Sequence, residues 1–125
     1  MTIQSKDEQL RQVLVNLSQS LFDVQGVLLA SSDGLALSHN LPATVDPSRI
    51  AAMAATAIGL GKRISTTLTL GTYDESIIKA NEGALYLYSA GQSAVLAVMA
   101  GAGANTGLIN LESRRAAKDL DHILS

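Results

Sequence analysis

The sequence predicts an α+β fold with the element order α-β-β-α-β-β-β-α, in which three helices pack on a five-stranded antiparallel sheet. Three observations carry this. Three segments place apolar residues at helical spacing, five segments between them carry strand patterns, and the turn signals joining those strands are short enough to make neighbours antiparallel. The 125 residues include only two prolines, Pro42 and Pro47, and no repeat or low-complexity linker, so one domain spanning 1–125 is expected.

The first helix runs from about Ser5 to Leu21. Leu10, Val13, Leu14, Leu17 and Leu21 form one stripe, and Ser5 with Glu8 reads as a capping box. Val24 to Ser31, Asp33-Gly34 and Leu35 to His39 then read as a β-hairpin, because Asp-Gly supplies the positive φ angles of a tight two-residue turn. Asn40 to Val45 reads as loop. Asp46 is placed to cap the second helix, with Pro47 in its first turn where a missing amide costs nothing, and that helix extends to about Thr66.

Three strands follow, over about Leu70 to Ala80, Ala84 to Ser89 and Ser93 to Ala100. Asn81-Glu82-Gly83 and Ala90-Gly91-Gln92 separate them. Leu85 and Leu87 alternate with Tyr86 and Tyr88, so the middle strand shows different residue types to its two sides. The third, Ala94 to Met99, is continuously apolar and should be the most buried. Asn105 or Thr106 can cap a last helix to about Leu124. Ile109, Ala116, Leu120 and Ile123 share one of its faces, opposite Arg114, Arg115, Lys118 and Asp121.

Composition narrows the function classes. Hydrophobic residues make up 47% and charged residues only 16%, against roughly 25% charged in an average soluble domain. That excludes intrinsic disorder and leaves much apolar surface for a small globule to cover, which suggests a second copy of the chain as the cover. Nine Lys and Arg against eleven Asp and Glu leave a net charge of −2, with no basic excess for phosphates, so nucleic acid is not an expected partner. The absence of cysteine removes disulfides, thiolate nucleophiles and Cys-based zinc sites. Met1 to Gln12 carries Lys6, Asp7, Glu8 and Arg11 and does not read as a signal peptide, and neither chain end resembles a lipidation signal. No uncharged apolar run approaches the roughly 20 residues of a membrane span. A cytoplasmic protein without membrane insertion is expected.

No segment reads as catalytic. Gly101-Ala-Gly103-Ala-Asn-Thr-Gly107 lies between a strand and a helix, but its last glycine spacing is one residue too long for a dinucleotide fingerprint and no strand follows the helix, so it reads as a connection with a helix cap. There is no G-x-S-x-G, and His39 and His122 fall at a strand end and on a charged helix face. Asp74 and Glu75 are adjacent and diverge, and Asp119 and Asp121 point to different sides of a helix. No ligand spacing suits a metal. Tyr86 and Tyr88 could stack bases, but without basic neighbours core or interface packing is the better reading. Hence neither enzyme activity, nor a cofactor, nor a bound metal is expected.

The second helix carries the strongest signal. From Ile50 through Gly61 it has no charge. Ile50, Met53, Ala54, Ala57, Leu60, Gly61 and Ile64 form one apolar face, Ile58 and Ala51 widen it, and Ala52 and Ala55 reach the far side. Alanine enrichment for helix propensity would explain this with Ala52 and Ala55 harmlessly exposed. The preferred reading is a subunit contact in which small residues let two helices approach, rimmed by Arg49, Lys62 and Arg63.

The ordered set of segments resembles the Roadblock family of dynein-light-chain-type domains, in its bacterial MglB-like branch. It comprises the Val24-to-Leu29 strand with Ser32-Asp33-Gly34-Leu35, the alanine-rich helix from near Arg49, Leu68-Thr-Leu-Gly71, Gly83-Ala-Leu-Tyr-Leu-Tyr88, Ala94-Val-Leu-Ala-Val-Met99, and Asn105-Thr-Gly-Leu-Ile-Asn-Leu111 leading to Arg114-Arg115-Ala116-Ala117. The resemblance covers about residues 8 to 124. It implies a profilin-like sandwich with the second helix on one sheet face and the other two on the opposite face. It further implies a homodimer whose third strands pair edge to edge and whose second helices meet. Carried onto this chain, Tyr73 to Lys79, with Tyr73, Ser76, Ile77 and Ile78, is the pairing edge. Ile50, Met53, Ala54, Ala57, Ile58, Gly61 and Ile64 are the helical contact. Such dimers typically serve as platforms for small Ras-like GTPases, acting by repositioning the GTPase's own switch elements. Some members are instead scaffold or motor light-chain-type adaptors. The resemblance implies no catalytic residue in this chain, and the partner surface is expected at Arg49, Met53, Thr56, Lys62 and Arg63.

Overall fold

Each helix begins where a side chain satisfies an amide that the helix itself cannot. Ser5 accepts from the Glu8 amide at 3.2 Å, Asp46 from the Ser48 amide at 3.0 Å, and Asn105 from the Leu108 amide at 3.0 Å. In the computed structural model, which describes residues 4–125, these caps open α1 (Lys6–Ser20), α2 (Pro47–Thr67) and α3 (Thr106–Leu124). The first three residues of the Met1 to Gln12 stretch, and of the domain expected over 1–125, lie outside the described residues. The strands are β1 (Val24–Ser31), β2 (Ala36–Asn40), β3 (Glu75–Ala80), β4 (Gly83–Ala90) and β5 (Ala94–Gly101). They form one antiparallel sheet in the order β2-β1-β5-β4-β3, so the α+β architecture and element order are those expected.

The continuously apolar segment is the central strand. Leu96 and Val98 of β5 point to one face and Val95 and Ala97 to the other, and all four are buried. On the first face Leu10, Leu14 and Leu17 of α1 and Ile109, Ala116 and Leu120 of α3 cover Val27, Leu29, Tyr86 and Tyr88. On the second, Ala51, Ala54 and Ile58 of α2 cover Leu28, Ala30 and Leu87. The alternation of Tyr and Leu in β4 is thus a division between two cores, and the tyrosines are core residues. Their hydroxyls reach partners on α3: Tyr86 bonds Thr106 at 2.8 Å and Tyr88 donates to Asn110 at 2.6 Å. α2 joins β2 to β3, the two edges of the sheet, and therefore crosses the whole second face.

Two expectations are corrected. The Asp33-Gly34 turn is not a two-residue turn: only Gly34 has positive φ, at 93°, the Gly34 amide bonds Ser31 O at 3.0 Å, and the Ser31 amide bonds Leu35 O at 2.8 Å. This is a three-residue connection closed by a left-handed glycine, which places β2 at Ala36–Asn40 instead of Leu35 to His39. The strand expected from Leu70 begins only at Glu75, because the preceding residues terminate α2. Thr69, at φ 55°, donates to Thr66 O at 3.2 Å, and Leu70 donates to Ser65 O at 2.8 Å. This pair of bonds is a Schellman motif with threonine in the left-handed position that glycine usually occupies. Gly71, at φ 98°, then turns the chain away from the helix.

A β-branched residue in the left-handed region is held there against its own sterics, at roughly 1–2 kcal/mol. Thr69→Gly should therefore raise the urea midpoint by the equivalent of about 1 kcal/mol, the added backbone freedom offsetting part of the relief. Gly91→Ala should lower it, since Gly91 has φ 72°, a left-handed conformation that a Cβ disfavours, and the exposed Asp121 carboxylate would have to move aside for the new methyl group.

Candidate partner-binding surface

The sheet selects which side of α2 is buried. Ala51, Ala54 and Ile58 follow at spacings of three and four, the interval that returns a helix to one face, and they are closed inside the chain's own core. Small side chains at 51 and 54 let the helix lie close to the strands. Residues off that axis turn outward: Met53 is 51% exposed, Leu60 57% and Ile64 44%. Ala52, Met53, Thr56, Ala57 and Leu60 line a shallow open groove along the helix. Among the helical residues singled out from the sequence, Ala54 and Ile58 are thus occupied within the chain. Ile50 and Ala57 are half-buried at the margin of its core, and Met53 and Ile64 stand free. Arg49, Thr56, Lys62 and Arg63 are all exposed. The Thr56 hydroxyl donates back to Ala52 O at 2.9 Å, leaving its methyl group to the surface.

Gly61 has an internal task. The ring of Tyr73 lies on it, and a Cβ at that position would overlap the ring. The Tyr73 hydroxyl bonds Ser76 Oγ at 2.5 Å, so the tyrosine ties the middle of α2 to the start of β3. On the other face Arg114 of α3 grips the Glu75 carboxylate with two parallel bonds, Nε to Oε2 at 2.9 Å and Nη2 to Oε1. The Glu75 acceptor holds the Arg114 guanidinium above its ordinary range. Strand β3 is therefore braced from both sides of the sheet at its first residues.

Beyond those residues β3 is an edge. Among the described residues it pairs only with β4, and Ile77 and Ile78 are exposed along it, Ile78 by 53%. Gly61 and Ser76 meet at the Tyr73 brace, where α2 contacts this edge. An unpaired row of amides and carbonyls beside exposed aliphatic side chains is equipped to bind another polypeptide. Among the described residues no group of three or more His, Asp or Glu could hold a metal ion, and no helix is long and apolar enough to cross a membrane.

The sequence places Leu60 on the apolar face without marking it as a contact, and it places Glu75 and Lys79 within the pairing edge without a role of their own. The alternation of Glu75, Ile77 and Lys79, opposite charges flanking an aliphatic residue, is the signal that could have found the last two.

Residues 10–100 match the family model of the Roadblock/LC7 domain. An uncharacterized protein of Methanocaldococcus jannaschii is 31% identical over 97 residues, covering 78% of this chain and 84% of the relative. The structure described as MglB with tetrameric arrangement superposes with a TM-score of 0.88 at 21% identity, covering 98% of this chain and 93% of that one. A Roadblock/LC7 domain from Streptomyces avermitilis does so with a TM-score of 0.86 at 23% identity, covering 91% and 96%.

Burial raises the Tyr73 and Tyr88 phenols above their ordinary range, the Ser76 hydroxyl partly countering this at Tyr73. A pKa raised in the folded state means that the folded chain keeps its proton longer than the unfolded chain does. The contribution to stability is complete below about pH 10, the unfolded tyrosine value, and is lost as pH rises above it. Urea unfolding followed from neutral pH to about pH 11 should show this fall, and Tyr73→Phe should make it shallower. An unchanged alkaline slope in Tyr73→Phe would contradict the assignment.

Proposed function

The chain belongs to the Roadblock/LC7 domain family, and from that premise we propose that it acts as a homodimeric, non-catalytic regulator or platform for a small Ras-like GTPase in the cytoplasm. The observation that carries the reading is the apolar outer face of α2, with Met53, Leu60 and Ile64, beside the unpaired edge of β3. A second copy covers both at once. Pairing across a two-fold axis brings edge to edge and helix to helix, and it satisfies the open backbone groups of β3. In this arrangement Ile50, Met53, Ala57, Leu60 and Ile64 form the helical contact, while Ala54, Ile58 and Gly61 support it from beneath. Ser76, Ile77 and Ile78 form the strand contact, with Tyr73 bracing the two together.

The joined α2 helices then present a polar margin at Arg49, Thr56, Lys62 and Arg63, all exposed. Three cations on this margin suit an acidic patch on a partner. A rigid dimer that binds one conformation of the GTPase better than the other shifts its switch elements without donating a catalytic group. The structural likeness to MglB and the family's typical role support this reading over a role in chemistry.

Light scattering at micromolar concentration should give twice the 13.0 kDa of one chain, and a mass near one chain would refute the dimer. Leu60→Glu, which places a charge in the apolar contact without entering the core, should raise the dimer dissociation constant at least about tenfold. Hydrolysis by the cognate GTPase should change at saturating dimer. Unchanged turnover in a complex that still forms would assign the chain to the scaffold or light-chain-type adaptors instead.

A further inference from the structure

We propose that a second copy of this chain pairs with β3 in one register, with Ile77 opposite Ile77 of the second copy and Glu75 opposite its Lys79 on either side. The inference rests on the homodimer proposed above and specifies its seam.

The pairing of β3 with β4 assigns its faces. Glu75, Ile77 and Lys79 stand opposite Tyr88, Tyr86 and Ala84, while Ser76 and Ile78 stand opposite Leu87 and Leu85. Tyr86 and Tyr88 belong to the core beneath α1 and α3, and Leu87 to the core beneath α2. Glu75, Ile77 and Lys79 therefore lie on the α1/α3 face and Ser76 and Ile78 on the α2 face. The bonds of Glu75 to Arg114 on α3, and of Ser76 to Tyr73 against α2, agree with this division.

Two chains whose α2 helices share one side of a continuous sheet are related by a two-fold axis perpendicular to it. Directly opposite residues in an antiparallel pair point to the same side. Residues from Glu75, Ile77 and Lys79 must then face residues of that same set. With Glu75 or Lys79 on the axis, like charges oppose each other, which is destabilising. With Ser76 on the axis Glu75 faces Ile77, and with Ile78 on the axis Lys79 faces Ile77, each leaving a charge against an aliphatic side chain. Ile77 on the axis pairs Glu75 with Lys79 twice, sets Ser76 opposite Ile78 twice, and joins the two isoleucines at the centre. Among the described residues Lys79 has no ion-pair partner in its own chain. Each Glu75 oxygen keeps a second acceptor site beyond its bond to Arg114, so the carboxylate can bridge its own Arg114 and the second copy's Lys79.

The chain has no cysteine, so single thiols report the register directly. In this register Ile77→Cys brings two thiols face to face. Ser76→Cys and Ile78→Cys each leave their pair offset by two residues, roughly 7 Å along the strand and beyond disulfide reach. Under a mild thiol oxidant such as diamide, Ile77→Cys should give covalent dimers on a non-reducing gel, at least about tenfold faster than the other two. Lys79→Glu should raise the dissociation constant, and high salt should shrink that increase. Faster crosslinking through Ser76→Cys or Ile78→Cys, or an unchanged dissociation constant in Lys79→Glu, would overturn the register while the dimer stands. A monomeric unmodified chain would overturn the dimer itself.

Discussion

A single helix is too narrow to cover one face of a five-stranded sheet, and the functional surface follows from that mismatch. Strands spaced about 4.8 Å apart make a sheet roughly 20–24 Å wide, whereas a helix with its side chains is about 10–12 Å across. Two helices, α1 and α3, close the first face. The second has α2 alone, laid across the sheet because it must carry the chain from β2 at one edge to β3 at the other. Alanines at 51 and 54 bring the helix close to the strands, and the larger Met53, Leu60 and Ile64 remain outside. Part of the surplus of apolar residues in the composition therefore stands exposed where the sandwich is incomplete.

The edge beside that helix is held in place before anything binds it. Tyr73 spans from Gly61 to Ser76 on one side of the sheet, and Arg114 holds Glu75 on the other. An edge strand fixed from both faces loses little further freedom on pairing, which lowers the entropic cost of association. The same bracing sets the angle between α2 and β3, so a second copy meets a surface of defined shape. In the proposed dimer, Glu75 links α3 of one chain through the seam to Lys79 of the other.

Much of the fold was legible because local chemistry and global packing agree. Ser5, Asp46 and Asn105 mark helix starts, the unbroken apolar run Ala94 to Met99 marks the central strand, and alternation in β4 marks a strand between two cores. The end of α2 was legible to within one residue, but the start of β3 was not, because the left-handed cap after the helix is Thr69 and a β-branched residue carries no turn signal. Gly71, the visible signal, follows two residues later, so Leu70 to Asp74 read as strand. The Asp-Gly turn was recognised by composition but not by length, since the bond from Ser31 to Leu35 depends on how β1 and β2 align. On α2 the apolar residues extend over half the circumference, and their periodicity cannot say which arc meets the sheet.

By itself the sequence determined the element order, the α+β class and the presence of an apolar helix in excess of what one sheet face needs. Those properties are local: capping, periodicity and turn chemistry act over a few residues. Only the tertiary structure decided that Ala54 and Ile58 belong to the chain's own core, that Gly61 accommodates Tyr73, and that Glu75 is gripped by Arg114, 39 residues away. Each of these depends on elements distant in the chain meeting at a particular angle, and that angle is set by the packing of α2 and α3 on opposite faces of one sheet.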